Sequence, residues 1–433
     1  MAEGIKDSGV EWIGKIPADW SIGKFGYCAK VQYGFPADSD YFNTDGSGIP
    51  LVRIRDITSG TIETWYSGQY PDSSLINRGD ILVGMDGDFN VREWEGPTAL
   101  LNQRCCVVSG GKRLRTDYLK YCLPESLRLR NELTMSTTVK HLLAGDIEHQ
   151  WMPLPSLEEQ ERITSFLRDL INPIEATMTT LEEQVDVLER YRKSLIHEAV
   201  TKGLDRSVPM CPSGIDWIGD IPEGWAVKKL KHLTKSFESG TSVRAAAYPA
   251  EPDEKGVLSL SAVFGGVFNP SANKTVDDDE LSRVSCPVKG GSLLVSRCNT
   301  SEWVGLPAYV DKDYPNLYLP DKLWQIGCGS TEFNRFIWYA LQSKSAREYC
   351  AVMSVGSSDS MQNIASADLL NMYIALPATQ EDRNVIVAYL DEKCTKIDSL
   401  LAAKREQIDI LKKRRQSLIY EYVTGKRRVG EEV

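Results

Sequence analysis

A thirteen-residue phrase near the start of the chain occurs a second time. Ser8-Gly-Val-Glu-Trp-Ile-Gly-Lys-Ile-Pro-Ala-Asp-Trp20 returns as Ser213-Gly-Ile-Asp-Trp-Ile-Gly-Asp-Ile-Pro-Glu-Gly-Trp225, at an offset of 205. Long internal periods mark duplicated structural units, and further matches extend this one. Gly34 and Gly60 match Gly240 and Gly266 at 206, and Gly79–Val83 matches Gly291–Val295 at 212. Lys140, Asp146 and Leu154-Pro155 match Gln362, Asp368 and Leu376-Pro377 at 222. Gln184, Leu188, Arg192 and Ser194–Ile196 match Gln407, Leu411, Arg415 and Ser417–Ile419 at 223. The offset only grows, as it does when one unit is duplicated and its loops lengthen. Whatever this chain folds into, it folds into it twice.

Each copy has two parts. The first mixes short β-rich runs with turns: Pro50–Ile57, Asp80–Val83, Gly256–Leu260 and Ser292–Val295, punctuated by Asp86-Gly87-Asp88 and Gly265-Gly266. Helical patterns lie around Asp117–Leu129 and Glu332–Cys350. The second part is helical. A short helix opens at Leu157–Ile163, and Asn172-Pro173 is expected to interrupt it, because proline suits a first turn better than a helix interior. Beyond it Ile174, Met178, Leu181, Val185, Leu188, Leu195 and Ala199 keep a 4-3 spacing, as do Ile397, Leu401, Ile408, Leu411, Leu418 and Tyr422. The expected fold is α/β (α+β): two tandem globules, each followed by a long helix, with the helices paired as an antiparallel coiled coil. The expected divisions are 1–153, 154–204, 205–375 and 376–433.

The composition excludes several classes. The 433 residues are 42% hydrophobic and 25% charged, ordinary for globular protein, and no run of eighteen apolar residues offers a membrane span. The opening residues lack the apolar core of a secretory signal, and the ten cysteines form no CxxC pair, so a reducing cytoplasm is expected. A net charge of -10 speaks against indiscriminate coating of DNA, although local basic surfaces survive a negative sum. Arg104–Arg130 holds seven Lys/Arg against two acids, and Lys404–Arg428 nine against three; solvated helix faces explain each equally simply.

The motifs of catalysis are missing. Asn172-Pro-Ile-Glu175 is a helix start rather than the Asn/Asp-Pro-Pro-aromatic loop of an amino-methyltransferase, and Thr424-Gly-Lys426 lacks the rest of a phosphate loop. Pro252–Lys255 has the residue types of a nuclease in a loop-like stretch, and Asp277–Glu280 reads as an exposed acidic loop rather than a metal cluster. The four histidines show neither metal nor triad spacing. A chain that binds without catalysing is expected.

Two similar globules joined by paired helices make a ruler. A helix from Pro173 to Gly203 would span about 45 Å, or about 13 base pairs of duplex. Such a ruler would suit two half-sites on one face of DNA. The duplicated S-G-x-x-W-I-G-x-I-P-x-x-W segment, Leu154–Ile163, and the helix ends Arg192–Val200 and Arg415–Val423 together resemble the specificity subunits of Type I restriction-modification systems. The resemblance covers nearly the whole chain. Leu376–Arg383 departs from the pattern, with one extra residue before Ile386. The resemblance implies a non-catalytic subunit that reads a bipartite double-stranded DNA site, one half per globule. It implies docking of two methyltransferase subunits and, through them, translocase-nuclease subunits. S-adenosylmethionine, ATP and magnesium would belong to those partners, and adenine N6 would be the methylated atom. A non-catalytic scaffold that uses the paired helices as a protein-docking rod is the competing reading.

Phosphate and base contacts need Lys, Arg and small donors at loop tips. In the first copy these are Tyr33 in the Gln32–Phe35 loop, Arg53, Arg55, Arg104 and Lys140. In the second they are Ser239, Thr241, Arg244, Arg297, Asn299, Lys322 and Gln362. The alternative for Arg53 and Arg55 is an exposed strand face paired to acids. Trp12, Trp20, Trp217 and Trp225 are expected to anchor each globule to the helices rather than to bind a ligand.

Overall fold

The computed structural model describes residues 4–133, 140–143, 145–356 and 361–430. The chain forms two compact units, Met1–Leu181 with Glu406–Val433, and Glu182–Arg405.

The first unit is built on a four-stranded antiparallel sheet of β1 (Ala29–Tyr33), β2 (Ile81–Gly84), β3 (Val91–Glu93) and β4 (Cys105–Gly110), in the order β3-β2-β4-β1. Alternate residues of a strand face opposite sides, and here both sides are covered. Ile81, Val83, Cys106 and Val108 enter the main core with Tyr118, Leu119 and Leu123 of helix α1 (Thr116–Leu133). Leu82, Cys105 and Val107 enter a second core with Val52, Ile76, Ala99 and Leu101 from a smaller mixed sheet. This is why the strands read as unbroken apolar runs rather than alternating ones.

Helix α2 (Leu157–Lys202) is continuous. The expected interruption at Asn172-Pro173 is therefore corrected: Pro173 lies inside the helix. A proline there forfeits one backbone bond at a cost of about 3 kcal/mol. Ile171 and Ile174 flank it and are buried, and each such side chain contributes about 1.5–3 kcal/mol. Packing outweighs the local preference.

The second unit repeats the plan. β5 (Ser236–Ser239), β6 (Leu293–Ser296), β7 (Pro307–Tyr309) and β8 (Leu323–Gly327) form an antiparallel sheet in the order β5-β8-β6-β7. Leu293, Val295, Trp324 and Ile326 enter one core, and Leu294 and Leu323 the other. Helices α3 (Thr331–Gln342) and α4 (Lys344–Met353) take the place of the single helix expected over Glu332–Cys350. The break falls at Ser343, whose hydroxyl caps α4 by accepting the Ala346 N–H.

Both units are closed by pieces of the two long helices, α2 and α5 (Gln380–Val423). In the first unit Ile163, Leu167 and Ile171 share a core with Ile419, Tyr422 and Val423, and the Tyr118 hydroxyl donates to the Val423 carbonyl at 3.0 Å. Phe166 and Tyr422 stack at 4.9 Å, and Arg415 bonds Glu175 at 2.8 Å. In the second unit Ile196, Ala199 and Val200 share a core with Ile386, Leu390 and Cys394, and Arg192 bonds Asp398 at 2.8 Å. In each unit the pairing is antiparallel, since advancing along α2 means retreating along α5.

Trp20 and Trp225 join globule to long helix within their units, while the contacts of Trp12 and Trp217 lie within the globules. Trp20 is buried and donates its indole N–H to Glu159 of α2 at 3.0 Å, while Trp12 donates to the Trp151 carbonyl at 3.1 Å. In the second unit Trp225 lies against Gly203 at the end of α2, and Trp217 packs on Tyr349 and Tyr373 at 5.1 and 6.3 Å. Trp217 stays 37% exposed where Trp12 is 9%, so the two copies of the phrase are not equally covered.

Two further expectations are corrected. Extended backbone over Pro50–Ile57 holds only for Ile49–Val52; a short helix, Ile54–Ser59, follows. Asp56 accepts the Arg53 N–H at 2.8 Å and opens that helix, and Gly60 at φ 76° ends it. Asp277–Glu280 is not wholly an exposed loop: Asp278–Glu280 is a 3₁₀ turn with Glu280 buried and paired to Arg283.

Deleting residues 406–433 should strip the first unit's core of one wall. Hydrogen exchange is then expected to accelerate in β2 and β4 while β6 and β8 keep their protection; equal protection everywhere would contradict this closure. Leu167→Ala should cost about 2–5 kcal/mol in urea denaturation, and Val187→Ala, which is exposed, under about 0.5.

Candidate nucleic-acid interface

Strand order decides which loops meet. In the first unit β1 ends, β2 ends and β4 begins at the same end of the sheet, where Tyr33 pairs with Cys106 and Gly84 with Cys105. The loops that leave there carry Gly34, Met85–Asp88 and Asn102–Arg104. Met85 donates to the Arg104 carbonyl at 3.0 Å, and Gly87 to the Lys140 carbonyl at 2.9 Å. The Tyr33 hydroxyl accepts the Gly145 N–H at 2.9 Å. Tyr33, Arg104 and Lys140, separated by up to 107 positions, are thus brought together at one end of one sheet. Burial pushes the Tyr33 phenol above its ordinary pKa.

Gly34 makes this convergence possible. A Cβ there would lie 2.1 Å from the Asn102 carbonyl oxygen, and one on Gly240 would lie 1.7 Å from that of Leu319. Both glycines therefore mark the same close approach of strand end to neighbouring loop.

Arg53 and Arg55 are placed differently. Arg53 precedes the short helix with its guanidinium 5.9 Å from the Phe42 ring. Arg55 donates to Thr64 at 3.0 Å and pairs with Glu63 and Asp56 at 3.3 and 3.6 Å, on an exposed helix rather than a strand.

In the second unit the corresponding sheet end gathers Ser239, Arg297, Asn299, Lys322 and Gln362. Ser239 closes β5; Arg297 donates its N–H to the Lys322 carbonyl at 2.9 Å; Asn299 pairs in register with Gln362. Asn299 also accepts the Thr300 N–H at 2.9 Å. Thr241 bonds Ser285 at 2.6 Å, and Arg244 pairs with Asp279 and Glu280 of the acidic turn.

The sequence reading missed two side chains in the first unit, Asp86 and His141. Arg104 donates Nε and Nη2 to Asp86, and His141 Nδ1 lies 2.6 Å from the same carboxylate. The Arg104 guanidinium holds the Asp86 carboxyl below its usual range. Nothing in the local sequence signals this cluster, because its members lie 18 and 55 positions from Asp86.

Much of the basic charge elsewhere is matched by acids. Arg115 pairs with Asp117 and Glu161, Lys120 with Glu93, and Arg428 with Asp19 and Glu159. Among the described residues no group of three His, Cys, Asp or Glu could hold a metal, and no helix is long and apolar enough to cross a membrane.

Residues 19–186 match the family described as the Type I restriction modification DNA specificity domain. The chain is 37% identical over 179 residues to the EcoBI specificity subunit of Escherichia coli, covering 41% of this chain but only 38% of that protein. It is 24% identical over 436 residues to the MjaVIII specificity subunit of Methanocaldococcus jannaschii, covering 96% and 94%. Residues 19–186 thus carry a Type I restriction-modification DNA specificity domain, and the chain as a whole is similar to specificity subunits of such systems. A solved structure that concerns complex assembly and conformational transition of the type I R-M system shares the fold. Its TM-score is 0.58 at 18% identity, over 95% of this chain and 99% of that one. The family match contains the whole converging sheet end of the first unit. The second sheet end is the duplicate of the first, strand for strand.

Gly34→Ala and Gly240→Ala should each destabilise their own unit by about 1–3 kcal/mol, because backbone rather than a flexible tip stands in the way. Thermal unfolding of the two variants is the check; an unchanged melting profile would mean the close approach is relaxed in solution.

Proposed function

We propose that this chain reads a split double-stranded DNA site, one half with each unit, on behalf of a Type I restriction-modification complex. The observation that carries the reading is the repetition of one sheet end in two units with different polar side chains on it. Tyr33, Arg104 and Lys140 serve one half-site; Ser239, Arg297, Asn299, Lys322 and Gln362 serve the other. Arg53 and Thr241 are flanking contacts to the phosphate backbone, which position a protein without reading sequence; Arg55 and Arg244 join them only by exchanging their carboxylate partners for phosphate. Residues 1–153 and 205–375 act as the readers, and 154–204 and 376–433 as the helical spacers.

On this reading the chain carries no catalysis of its own. Two methyltransferase subunits dock on the helices and supply S-adenosylmethionine chemistry at adenine N6; translocase-nuclease subunits join through them with ATP and magnesium. Exposed Val187, Tyr191, Leu400 and Ile410 on the long helices supply apolar area for such docking. The cytoplasm, where DNA and these partners meet, is the place of action.

A genome-wide map of N6-methyladenine, with and without this chain, tests the proposal. One split motif is expected to vanish when the chain is absent. An unchanged map, with the cognate methyltransferase expressed, would instead favour the protein-docking scaffold. Binding of the assembled complex to DNA should also weaken steeply between 50 and 200 mM salt, by about 10³-fold or more if six or more phosphates are neutralised.

A further inference from the structure

The two units hold three facing positions on one frame and fill them with different chemistry. The β2–β4 pair aligns Gly84 with Cys105, and the β6–β8 pair aligns Ser296 with Leu323, so Arg104 and Lys322 are equivalent. Two positions after Gly84 and Ser296 come Asp86 and Cys298. Asp86 is bridged to His141 and Cys298 is paired with Asn363. Asp86, Arg104 and His141 therefore stand where the second unit has Cys298, Lys322 and Asn363.

A guanidinium carries five donors in a rigid fork. Asp86 takes two of Arg104's, with Nε to Oδ2 at 2.9 Å and Nη2 to Oδ1. His141 Nδ1 meets the same oxygen, 2.6 Å from Oδ1 and 3.1 Å from Arg104 Nη2; with the proton on Nδ1 it donates to Oδ1 and takes none of Arg104's donors. What remains is Nη1 and the outer N–H of Nη2, on a side chain that is 40% exposed. Two features of this arrangement separate base from phosphate. The Arg104–Asp86 pair has no net charge, so a phosphate gains little from it and is repelled by the carboxylate. The fork's plane is fixed, which matters for an acceptor pair and hardly at all for a diffuse anion. In the major groove only guanine offers two adjacent acceptors, O6 and N7.

We propose that Asp86 and His141 are positioning residues that aim Arg104 at a guanine in the half-site read by the first unit, and that Lys322, with Cys298 and Asn363 in place of that pair, reads a different base in the other half. The inference rests on the split-site reading above. In the second unit the carboxylate is replaced by a buried thiol, so Lys322 keeps a point charge without a held fork.

The test uses the complex assembled with its methyltransferase subunits, S-adenosylmethionine and a library of randomised duplexes, with the methylated pool sequenced. The wild-type motif is expected to contain a guanine in the half assigned to the first unit. Arg104→Lys keeps the charge and loses the fork, so discrimination at that one position should fall about tenfold or more. Asp86→Ala should relax the same position while raising affinity for unrelated DNA and steepening its salt dependence, because a positive charge is released. His141→Asn should relax it less. An unaltered second half-site in every variant shows that the protein is folded and assembled. Uniform weakening with an unchanged motif would make Arg104 a phosphate contact and overturn the proposal, as would variants indistinguishable from wild type. A wild-type complex that methylates no split motif would overturn the underlying reading and this inference with it, a result distinct from an intact motif that ignores Arg104.

Discussion

The first unit cannot complete its core with residues that are near in sequence. Ile163, Leu167 and Ile171 of α2 need Ile419, Tyr422 and Val423 of α5, and the Tyr118 hydroxyl reaches across 305 positions to the Val423 carbonyl. Burial of apolar side chains is the dominant favourable term in folding, so this closure binds the end of the chain to its beginning. The second unit has the same need and meets it with the other portions of the same two helices. Each helix thus answers to two cores, which is why both long seams persist and why a proline inside α2 is tolerated.

Each sheet is covered on both faces, on one by the core that the long helices complete and on the other by a second, smaller core, so only its ends stay open. Strand order then fixes which loops share an end. Tyr33, Arg104 and Lys140 meet because β1, β4 and β2 are neighbours, and Arg297, Asn299, Lys322 and Gln362 meet for the same reason. Within each unit the sheet and the long helices repeat, while the loop residues at one end of the sheet differ between the two units.

The parts of this plan that were legible in the sequence are those carried by repetition and periodicity. The duplicated tryptophan phrase, the 4-3 seams and the Gly34/Gly240 pair all correspond to definite structural roles: anchoring, helix pairing and close backbone approach. What was not legible depends on distant partners. Pro173 looks like a helix start until Ile171 and Ile174 are seen to be buried. Arg55, read as a DNA contact or as a strand residue paired to acids, is paired to Glu63 and Asp56 but from a short helix. Asp86 and His141 carry no local pattern at all, since a bridge between strands separated by a helix leaves no period in the sequence. Glu280, read as part of an acidic loop, is buried because Arg283 follows it on the same turn.

The central claim is that the two units read separately, each with its own sheet end. Its most direct test is an exchange of residues 1–153 for the corresponding reader of another family member, followed by sequencing of the sites methylated by the assembled complex. The account predicts that one half of the split motif changes to the donor's and the other half stays as it was. A change in both halves, or in neither, would contradict it.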